Sequence, residues 1–423
     1  MTRSWRGLEL SLLIYPAALL LLGLAWMIAS RGGRVELAGL AAGIYFALLL
    51  VAGHGWLCWR LPAADQLLLP IVAGLSALGQ LMITRLSPDS ALRQAVWVTV
   101  GLAAMAAAAS LLPSVTWLKR YRYSLAALGF GLVLLTIVFG IDPNGSGARL
   151  WLGFGGLYFQ PSELLKVLLV VFFAAYLDKY HELLAHAGPR VGPIRLPPLP
   201  YLAPLLVMFG LSQAILVWQR DLGAALLFFG IFLSMLYVAS GRPSYVVMGG
   251  MLFLLGAFIS TLIFSVVRLR MAVWLDPWAQ AEGAGYQLVQ ALLAFGSGGV
   301  LGSGLGQGYP GYIPAVQTDF IIAAIGEELG LAGTVATVAL YMLFVERGLR
   351  IALTSVDSFS ALLASGLTAV FGIQALVILG GTLRLMPLTG VTLPLVSYGG
   401  SSILANFVLV GLLLRVSAER RGA

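Results

Sequence analysis

Twelve apolar stretches of about twenty residues constrain the fold of this chain more than any other feature of its sequence. Each stretch is long enough for an α-helix to cross the hydrocarbon core of a bilayer. They cover residues 8–30, 36–59, 66–84, 92–112, 123–140, 161–177, 201–218, 222–240, 244–267, 320–345, 359–383 and 401–416. The sequence therefore predicts an all-α polytopic membrane protein of about 12 transmembrane helices, with both termini on the same side.

Composition supports this class and excludes others. Hydrophobic residues make up 60% of the chain and charged residues only 10%, whereas about a quarter of a soluble chain is charged. A single cysteine, Cys58, and three scattered histidines exclude a disulfide framework and make a metal centre built on thiolates or imidazoles improbable. The net charge is +8, and the basic residues lie mostly in short loops. This distribution indicates attraction to an anionic membrane leaflet, and we expect no nucleic-acid partner.

Basic residues also predict the orientation in the membrane. With both termini in the cytoplasm, fifteen arginines and lysines fall on the inner side and nine on the outer side. The long loop 268–318 is then extracellular. The first apolar stretch is as long as a full span, so we expect no cleavable signal peptide.

The loop 268–318 and the residues after it carry the main candidate site. Residues 285–295 have helical apolar spacing with Gln287 and Gln290 on another face, which predicts a short interfacial helix. The glycine-rich stretch 296–308 lacks the preceding strand and the Lys-Ser/Thr of a phosphate loop, so its glycines favour tight turns or close approach of a ligand. Asp319 follows at the mouth of a span, as a catalytic carboxylate or as a helix cap.

Two further glutamates, Glu327 and Glu328, lie within that span. Adjacent residues cannot share one face of a helix. We therefore expect at least one of these carboxylates to be satisfied inside the bundle.

A second polar cluster lies near the middle of the chain. Glu163 and Lys166 are three residues apart on one helical face, close enough for an ion pair that either serves the site or is a buried structural bridge. Arg149 and Gln160 are candidates for contacts to phosphate or sugar, or else anchors at the membrane interface. Asp221, at the start of a span, reads as a helix N-cap.

The residues before the last span form a third candidate region. Pro387, Pro394, Gly399 and Gly400 interrupt residues 384–407. Irregular backbone at membrane depth is tolerated where it lines a cavity or is buried in protein. This region is predicted to be a second wall of the same site. Its candidate hydrogen-bonding residues are Ser397, Tyr398, Ser401 and Ser402.

Five segments, in order, resemble the SEDS family of cell-shape, division and sporulation proteins, which contains RodA, FtsW and SpoVE. They read ARLWLGFGGLYFQPSELLK, QRDLGAALL, GAGYQLVQALLAFGSGG, IPAVQTDFIIAAIGEELGLAG and LPLVSYGGSS. The resemblance covers about residues 66–416. It implies a ten-helix core at 65–423 that includes the extracellular loop 268–318, preceded by a two-helix extension at 1–64.

The resemblance also implies a function. Such proteins are peptidoglycan glycosyltransferases that polymerise lipid II at the outer face of the bacterial cytoplasmic membrane, with a class B penicillin-binding protein as crosslinking partner. The family's essential aspartate matches Asp319, its Glu and Lys match Glu163 and Lys166, and its basic residue matches Arg149. A RodA-like role in elongation is favoured over an FtsW-like role in division. This chain departs from the family pattern in two places. It has Pro314-Ala315 and Gln317 where many members have a Pro-Glu and a His, and Gln280-Ala281 where an Asp-Pro is common.

These residues suit the chemistry of glycan polymerisation from lipid II. A base at Asp319 would deprotonate a sugar hydroxyl, and Arg149, Lys166 or a divalent cation, Mg²⁺ or Mn²⁺, would balance charge on the leaving pyrophosphate. Two alternatives stay open at this point. One is a transporter that flips the lipid-linked precursor. The other is a non-catalytic scaffold for a penicillin-binding protein.

Overall fold

The computed structural model describes residues 6–30, 37–143, 149–154, 157–186, 190–191, 194–195, 199–219 and 221–419. Nearly all of them are helical. The helices are α1 (Gly7–Ser30), α2 (Leu37–Arg60), α3 (Leu68–Leu86), α4 (Pro88–Ser110), α5 (Trp117–Arg120), α6 (Arg122–Phe139), α7 (Pro161–His186), α8 (Leu199–Trp218), α9 (Leu222–Ser240), α10 (Pro243–Ile263), α11 (Ser265–Leu275), α12 (Tyr286–Gly298), α13 (Ile321–Leu353), α14 (Ser358–Thr382) and α15 (Gly400–Ala418).

Eleven helices among the described residues are long and apolar enough to span a membrane. The remaining predicted span, 161–177, is the first part of α7, a helix of 26 residues. This helix carries the charged residues Glu163, Lys166 and Asp178, and for that reason it is not counted among the eleven apolar helices. The prediction of an all-α polytopic membrane protein with about 12 spans is confirmed.

The chain divides into two compact units. The first contains Met1–Leu111, Leu269–Arg347 and Gln374–Ala418. The second contains Leu112–Arg268, Gly348–Ile373 and Glu419–Ala423.

Close helix packing organises the first unit. α3 is the most deeply buried helix, and every residue from Leu68 to Thr84 is buried. A Cβ on Gly79 of α3 would lie 2.5 Å from the carbonyl oxygen of Val396, and one on Gly411 of α15 would lie 2.5 Å from that of Met105 on α4. Small residues let backbones approach closely, and the resulting van der Waals packing helps helices to associate in a bilayer.

A buried ionic cluster ties the two N-terminal helices to the rest of this unit. Both Arg6 and Glu9 are fully buried, and their Nη2 and Oε2 atoms are 2.6 Å apart. The Arg6 guanidinium also donates to the carbonyl of Ala64 at 2.7 Å, and His54 Nδ1 lies 2.7 Å from Glu9 Oε1. The domain boundary between residues 64 and 65 stays a prediction.

The second unit is centred on α7, which packs against α6, α8 and α9 with Phe172 and Phe173 buried. Two short antiparallel hairpins accompany the helices: β1 (Leu152–Phe154) pairs with β2 (Leu157–Phe159), and β3 (Arg190–Val191) pairs with β4 (Ile194–Arg195). α10 buries only Tyr245, whose hydroxyl donates to the carbonyl of Leu184 at 2.9 Å. The rest of α10 is an apolar surface suited to lipid.

Candidate functional site

The long loop contains the short helix that the sequence predicts. α12 spans Tyr286–Gly298, against a predicted 285–295, and it buries Leu288, Val289, Ala291 and Ala294. Its last residue, Gly298, lies against α13 so closely that a Cβ there would be 1.9 Å from the Gly326 carbonyl oxygen. The helix is thereby packed on the start of α13.

The glycine-rich stretch wraps around a break in α13. Gly330 has φ 68° and ψ −166°, which interrupts the helix. Carbonyls just before the break accept hydrogen bonds from the loop: Ser303 N donates to Glu327 O at 2.9 Å and Gly304 N to Glu328 O at 3.1 Å. Gly304 itself has φ +100°, a conformation that favours glycine. These loop amides therefore bind the protein's own backbone, which argues against a phosphate cradle.

Glu327 and Glu328 of α13 both hold the same loop. Tyr309 N donates to Glu327 Oε1 at 2.7 Å, and Gly306 N donates to Glu328 Oε2 at 2.9 Å. Arg85 of α3 pairs with Glu328 at 2.9 Å, and its guanidinium also donates to the Gly308 carbonyl at 3.0 Å. The expectation that at least one glutamate is satisfied internally is confirmed for both.

Asp319 lies at the end of this loop, where the irregular segment before α15 clamps its backbone. The Ser397 hydroxyl donates to the Thr318 carbonyl. Tyr398 N donates to the Gln317 carbonyl at 2.9 Å. The predicted second wall is thus in direct contact with the residues that precede Asp319.

The Asp319 carboxyl group has a raised pKa. Burial raises its pKa to about 6, while a hydrogen bond from Thr318 and the positive charge of Arg270 act in the opposite direction. A Cβ on Gly390, whose φ is +74°, would lie 3.7 Å from Asp319 Oδ2, so the backbone of the wall lies close to the carboxylate. A carboxyl group with this pKa can accept and release a proton at physiological pH.

The alternative role of Asp319 as a helix cap finds little support in the geometry. α13 begins at Ile321, so its cap position is Phe320. Across the described part of the chain, no first-turn amide of α13 donates to the Asp319 carboxylate. A capping hydrogen bond would lower the pKa of the carboxyl group, so the raised pKa of Asp319 gives no sign of a capping role.

Arg270 is a site residue that the sequence analysis missed. Its charge acts on Asp319, and it lies on α11, which is held to the clamping segment by Trp274 Nε1 donating to Arg384 O at 3.1 Å. Arg384 Nε donates back to Trp274 O at 2.9 Å. The signal in the sequence was a pair of arginines at the start of the loop, Arg268 and Arg270, which contributed only to the predicted orientation.

The other predicted residues of this unit have clear positions but untested roles. Gln287 and Gln290 are half-buried on α12. Ser397 is buried, and its hydroxyl accepts a hydrogen bond from Leu393 N at 3.0 Å. It also donates to the Thr318 carbonyl, so both hydrogen bonds of this hydroxyl are made to backbone groups. Ser401 is buried at the start of α15. Substrate binding by these residues and by Tyr398 stays a prediction.

The second unit contains the other polar cluster. Lys166 Nζ lies 2.6 Å from Glu163 Oε2, which confirms the predicted pair. Asp221 accepts from Ala224 N at 3.1 Å, which confirms the N-cap, and from Gln160 Nε2 at 3.2 Å. Burial, followed by the negative charge of Glu163, raises the pKa of Asp221.

Arg149 is exposed, directly after residues 144–148, which lie outside the described residues. Its predicted contact with phosphate or sugar is not tested.

Asp319 and the Glu163–Lys166 pair belong to different compact units, so a cavity shared by them stays a prediction. No group of three or more His, Cys, Asp or Glu that could hold a metal ion occurs within the described ranges. The predicted Mg²⁺ or Mn²⁺ stays a prediction as well.

Fold and site together define a class: a multi-pass helical membrane protein whose long polar loop presents a carboxyl group able to exchange a proton near neutral pH. The family model for FtsW, RodA and SpoVE, described as "Cell cycle protein", matches residues 57–422. The chain therefore belongs to the FtsW/RodA/SpoVE family. The match begins near the end of α2, so α1 and most of α2 lie outside it.

Curated relatives support the same assignment. The chain is 41% identical over 428 residues to the peptidoglycan glycosyltransferase RodA of Mycobacterium bovis, covering 98% of this chain and 91% of that protein. The RodA of Mycobacterium leprae is 42% identical over the same shares. A probable peptidoglycan glycosyltransferase FtsW of Geobacter metallireducens is 37% identical over 336 residues, which cover 78% of this chain and 85% of that one.

Solved structures share the fold. A chain from a study of the structural coordination of polymerization and crosslinking by a peptidoglycan synthase complex has a TM-score of 0.70 at 29% identity, covering 85% of this chain and 99% of that one. The crystal structure of the rod shape determining protein RodA of Thermus thermophilus has a TM-score of 0.60 at 28% identity, covering 85% of this chain and 98% of the other.

Proposed function

We propose that this protein is a peptidoglycan glycosyltransferase that polymerises lipid II into glycan strands for cell elongation. Support comes from the 41% identity to a peptidoglycan glycosyltransferase RodA over 98% of this chain. The N-terminal helices favour elongation over division, because the RodA relative aligns over 98% of the chain and the FtsW relative over 78%.

The observation that carries the mechanism is the position of Asp319, half-buried at the end of the loop and close to the backbone of Gly390, where burial raises its pKa to about 6. At neutral pH the carboxylate is mostly ionised yet basic enough to accept a proton, which is the balance that a general base needs. Asp319 takes the proton from an acceptor sugar hydroxyl. The hydroxyl oxygen forms a bond to the anomeric carbon of the donor, and the bond from that carbon to the lipid pyrophosphate breaks.

Positive charge stabilises the pyrophosphate as it leaves. Arg270 is the cation that acts on Asp319 in the same unit. Arg149, Lys166 and a divalent cation are further sources that the family resemblance suggests. Lys166 already neutralises Glu163 at 2.6 Å, so we assign it first to holding that pair together.

We further propose that both termini are cytoplasmic, that the loop 268–318 is extracellular, and that the membrane is the bacterial cytoplasmic membrane. The basic-residue asymmetry supports this orientation. A class B penicillin-binding protein is the proposed partner. The similarity to a chain of a peptidoglycan synthase complex that couples polymerization with crosslinking supports such a partner.

Asp319→Asn tests the catalytic role. Asparagine keeps the size of the side chain but cannot take the proton, so polymerisation of fluorescent lipid II should fall by a factor of about 100 or more at matched expression and thermal stability. Asp276→Asn is the matched control, because Asp276 is an exposed loop aspartate that caps a turn through Ala279 N and asparagine caps as well. Equal polymer from wild-type and Asp319→Asn proteins would remove Asp319 from the mechanism.

The transporter and scaffold alternatives are separated in the same preparation. Lipid II flipping in liposomes without any polymer would favour a transporter. Neither polymer nor flipping from wild-type protein, with retained binding of the penicillin-binding protein, would favour a scaffold.

A further inference from the structure

Two tyrosines project from the loop shortly before Asp319. Tyr309 is 73% exposed and Tyr312 is 65% exposed, values that are high for aromatic residues in an ordered loop. Their ring centroids are 6.3 Å apart and the ring planes are inclined by 32°. The two rings are therefore neighbours, and most of each side chain is accessible to a ligand.

The backbone beneath the rings is firmly held. Tyr309 N donates to Glu327 Oε1 at 2.7 Å, and Tyr312 N donates to Tyr309 O at 3.2 Å across the turn Pro310–Tyr312. Pro310 and Ile313 are buried and anchor the turn on the apolar side. Because this backbone is already ordered, ligand binding costs little further backbone entropy. The side-chain cost is also small, since a tyrosine has only two side-chain torsions to order.

Sugar rings are the ligands that suit this arrangement. The apolar faces of a pyranose stack on aromatic rings as nucleobases do in single-strand binding proteins, while the tyrosine hydroxyls serve the polar edge. The separation of the two rings is comparable with the advance of one sugar along a glycan strand. The segment lies outside the eleven candidate spans, where hydrated saccharide rather than lipid tail is expected to be present.

We propose that Tyr309 and Tyr312 form a stacking platform for two consecutive sugar rings of the growing glycan strand. This proposal rests on the proposed polymerase function and names a strand-binding site within it. The platform lies on the segment that runs into Asp319, so it holds the strand near the reacting end between additions. Its loss should therefore release strands earlier.

A binding experiment tests the platform without turnover. The probe is a soluble, peptide-free oligosaccharide of alternating N-acetylglucosamine and N-acetylmuramic acid, titrated onto the purified full chain. The double variant Tyr309→Leu/Tyr312→Leu should bind about tenfold more weakly, equal to about 1.4 kcal/mol, whereas Tyr309→Phe/Tyr312→Phe should bind almost as the wild type does. Tyr15→Leu, which changes a 70% exposed tyrosine of α1, is the control and should bind as the wild type does.

Strand length supplies the second measurement. With lipid II as substrate, the leucine double variant should give shorter strands, and the phenylalanine variant should give strands of normal length. Equal affinity and equal strand length in the leucine variant would overturn the platform. Normal strands from leucine but not from alanine at both positions would instead indicate an apolar membrane contact, which also overturns it. A wild-type protein that makes no polymer would refute the proposed function alone, because the binding experiment still decides on the platform.

Discussion

At the scale of single residues, the charge on Asp319 should control the pH dependence of the reaction. Its pKa is raised to about 6, so the carboxylate that acts as base is present above that pH and lost as the pH falls through it. Initial polymerisation rates should therefore show an acid limb near pH 6. Arg270 lowers this pKa, so Arg270→Gln should shift the limb to higher pH.

Arg268→Gln is the matched control for that pH profile. The Arg268 guanidinium donates to the carbonyls of Thr261 at 3.2 Å and Leu262 at 3.0 Å, so its charge serves the end of α10. Its loss should leave the acid limb in place. An unchanged limb in Arg270→Gln would show that this arginine does not act on the titrating group.

Ser397 is a candidate positioning residue for Asp319. Removal of its hydroxyl leaves the Thr318 carbonyl and Leu393 N without a partner, which typically costs about 1–3 kcal/mol. Ser397→Ala should therefore lower kcat by about tenfold or more with a smaller change in KM. In an Asp319→Asn background the same change should cause almost no further loss, because its effect passes through Asp319. Independent, multiplying losses in the double variant would contradict this role.

At the scale of elements, the apolar windows predicted the helices closely because a span is a local property of about twenty residues. The predicted 222–240 coincides with α9. The break at Gly330 was not predictable, since the carbonyls that it frees are satisfied by Ser303 and Gly304, more than twenty residues earlier. Arg270 was missed for a related reason: its effect on Asp319 depends on how α11 is held.

The ion pair between Arg85 and Glu328 gives the prediction at this scale. Both side chains are largely buried, and removal of one partner of such a pair typically costs about 3–5 kcal/mol because the other charge is left uncompensated. Arg85→Met and Glu328→Gln should each lower the thermal stability of the detergent-solubilised protein, and the double variant should lose less than the sum. Limited proteolysis should cut within residues 302–309 faster in each single variant. Additive losses would show that the two residues act separately.

At the scale of the whole molecule, topology is the prediction that the structure leaves for experiment. In a Cys58→Ala background, a cysteine at the exposed Gln307 should react with a membrane-impermeant maleimide in intact cells. A cysteine at the exposed Val356, on the predicted inner side, should react only after lysis. The opposite labelling pattern would reverse the proposed orientation and place Asp319 on the cytoplasmic side.

The loop that is hydrogen-bonded around Gly330 also sets an order of events during synthesis. Arg85 emerges from the ribosome long before the loop, but Glu327, Glu328 and the freed carbonyls emerge only after it. Contacts between distant segments form after both segments are available. In the proposed orientation, the loop crosses the membrane first and its amides bind water until the first turns of α13 have been inserted. A nascent chain arrested before α13 should then expose this loop to envelope proteases, whereas a chain arrested after α13 should protect it.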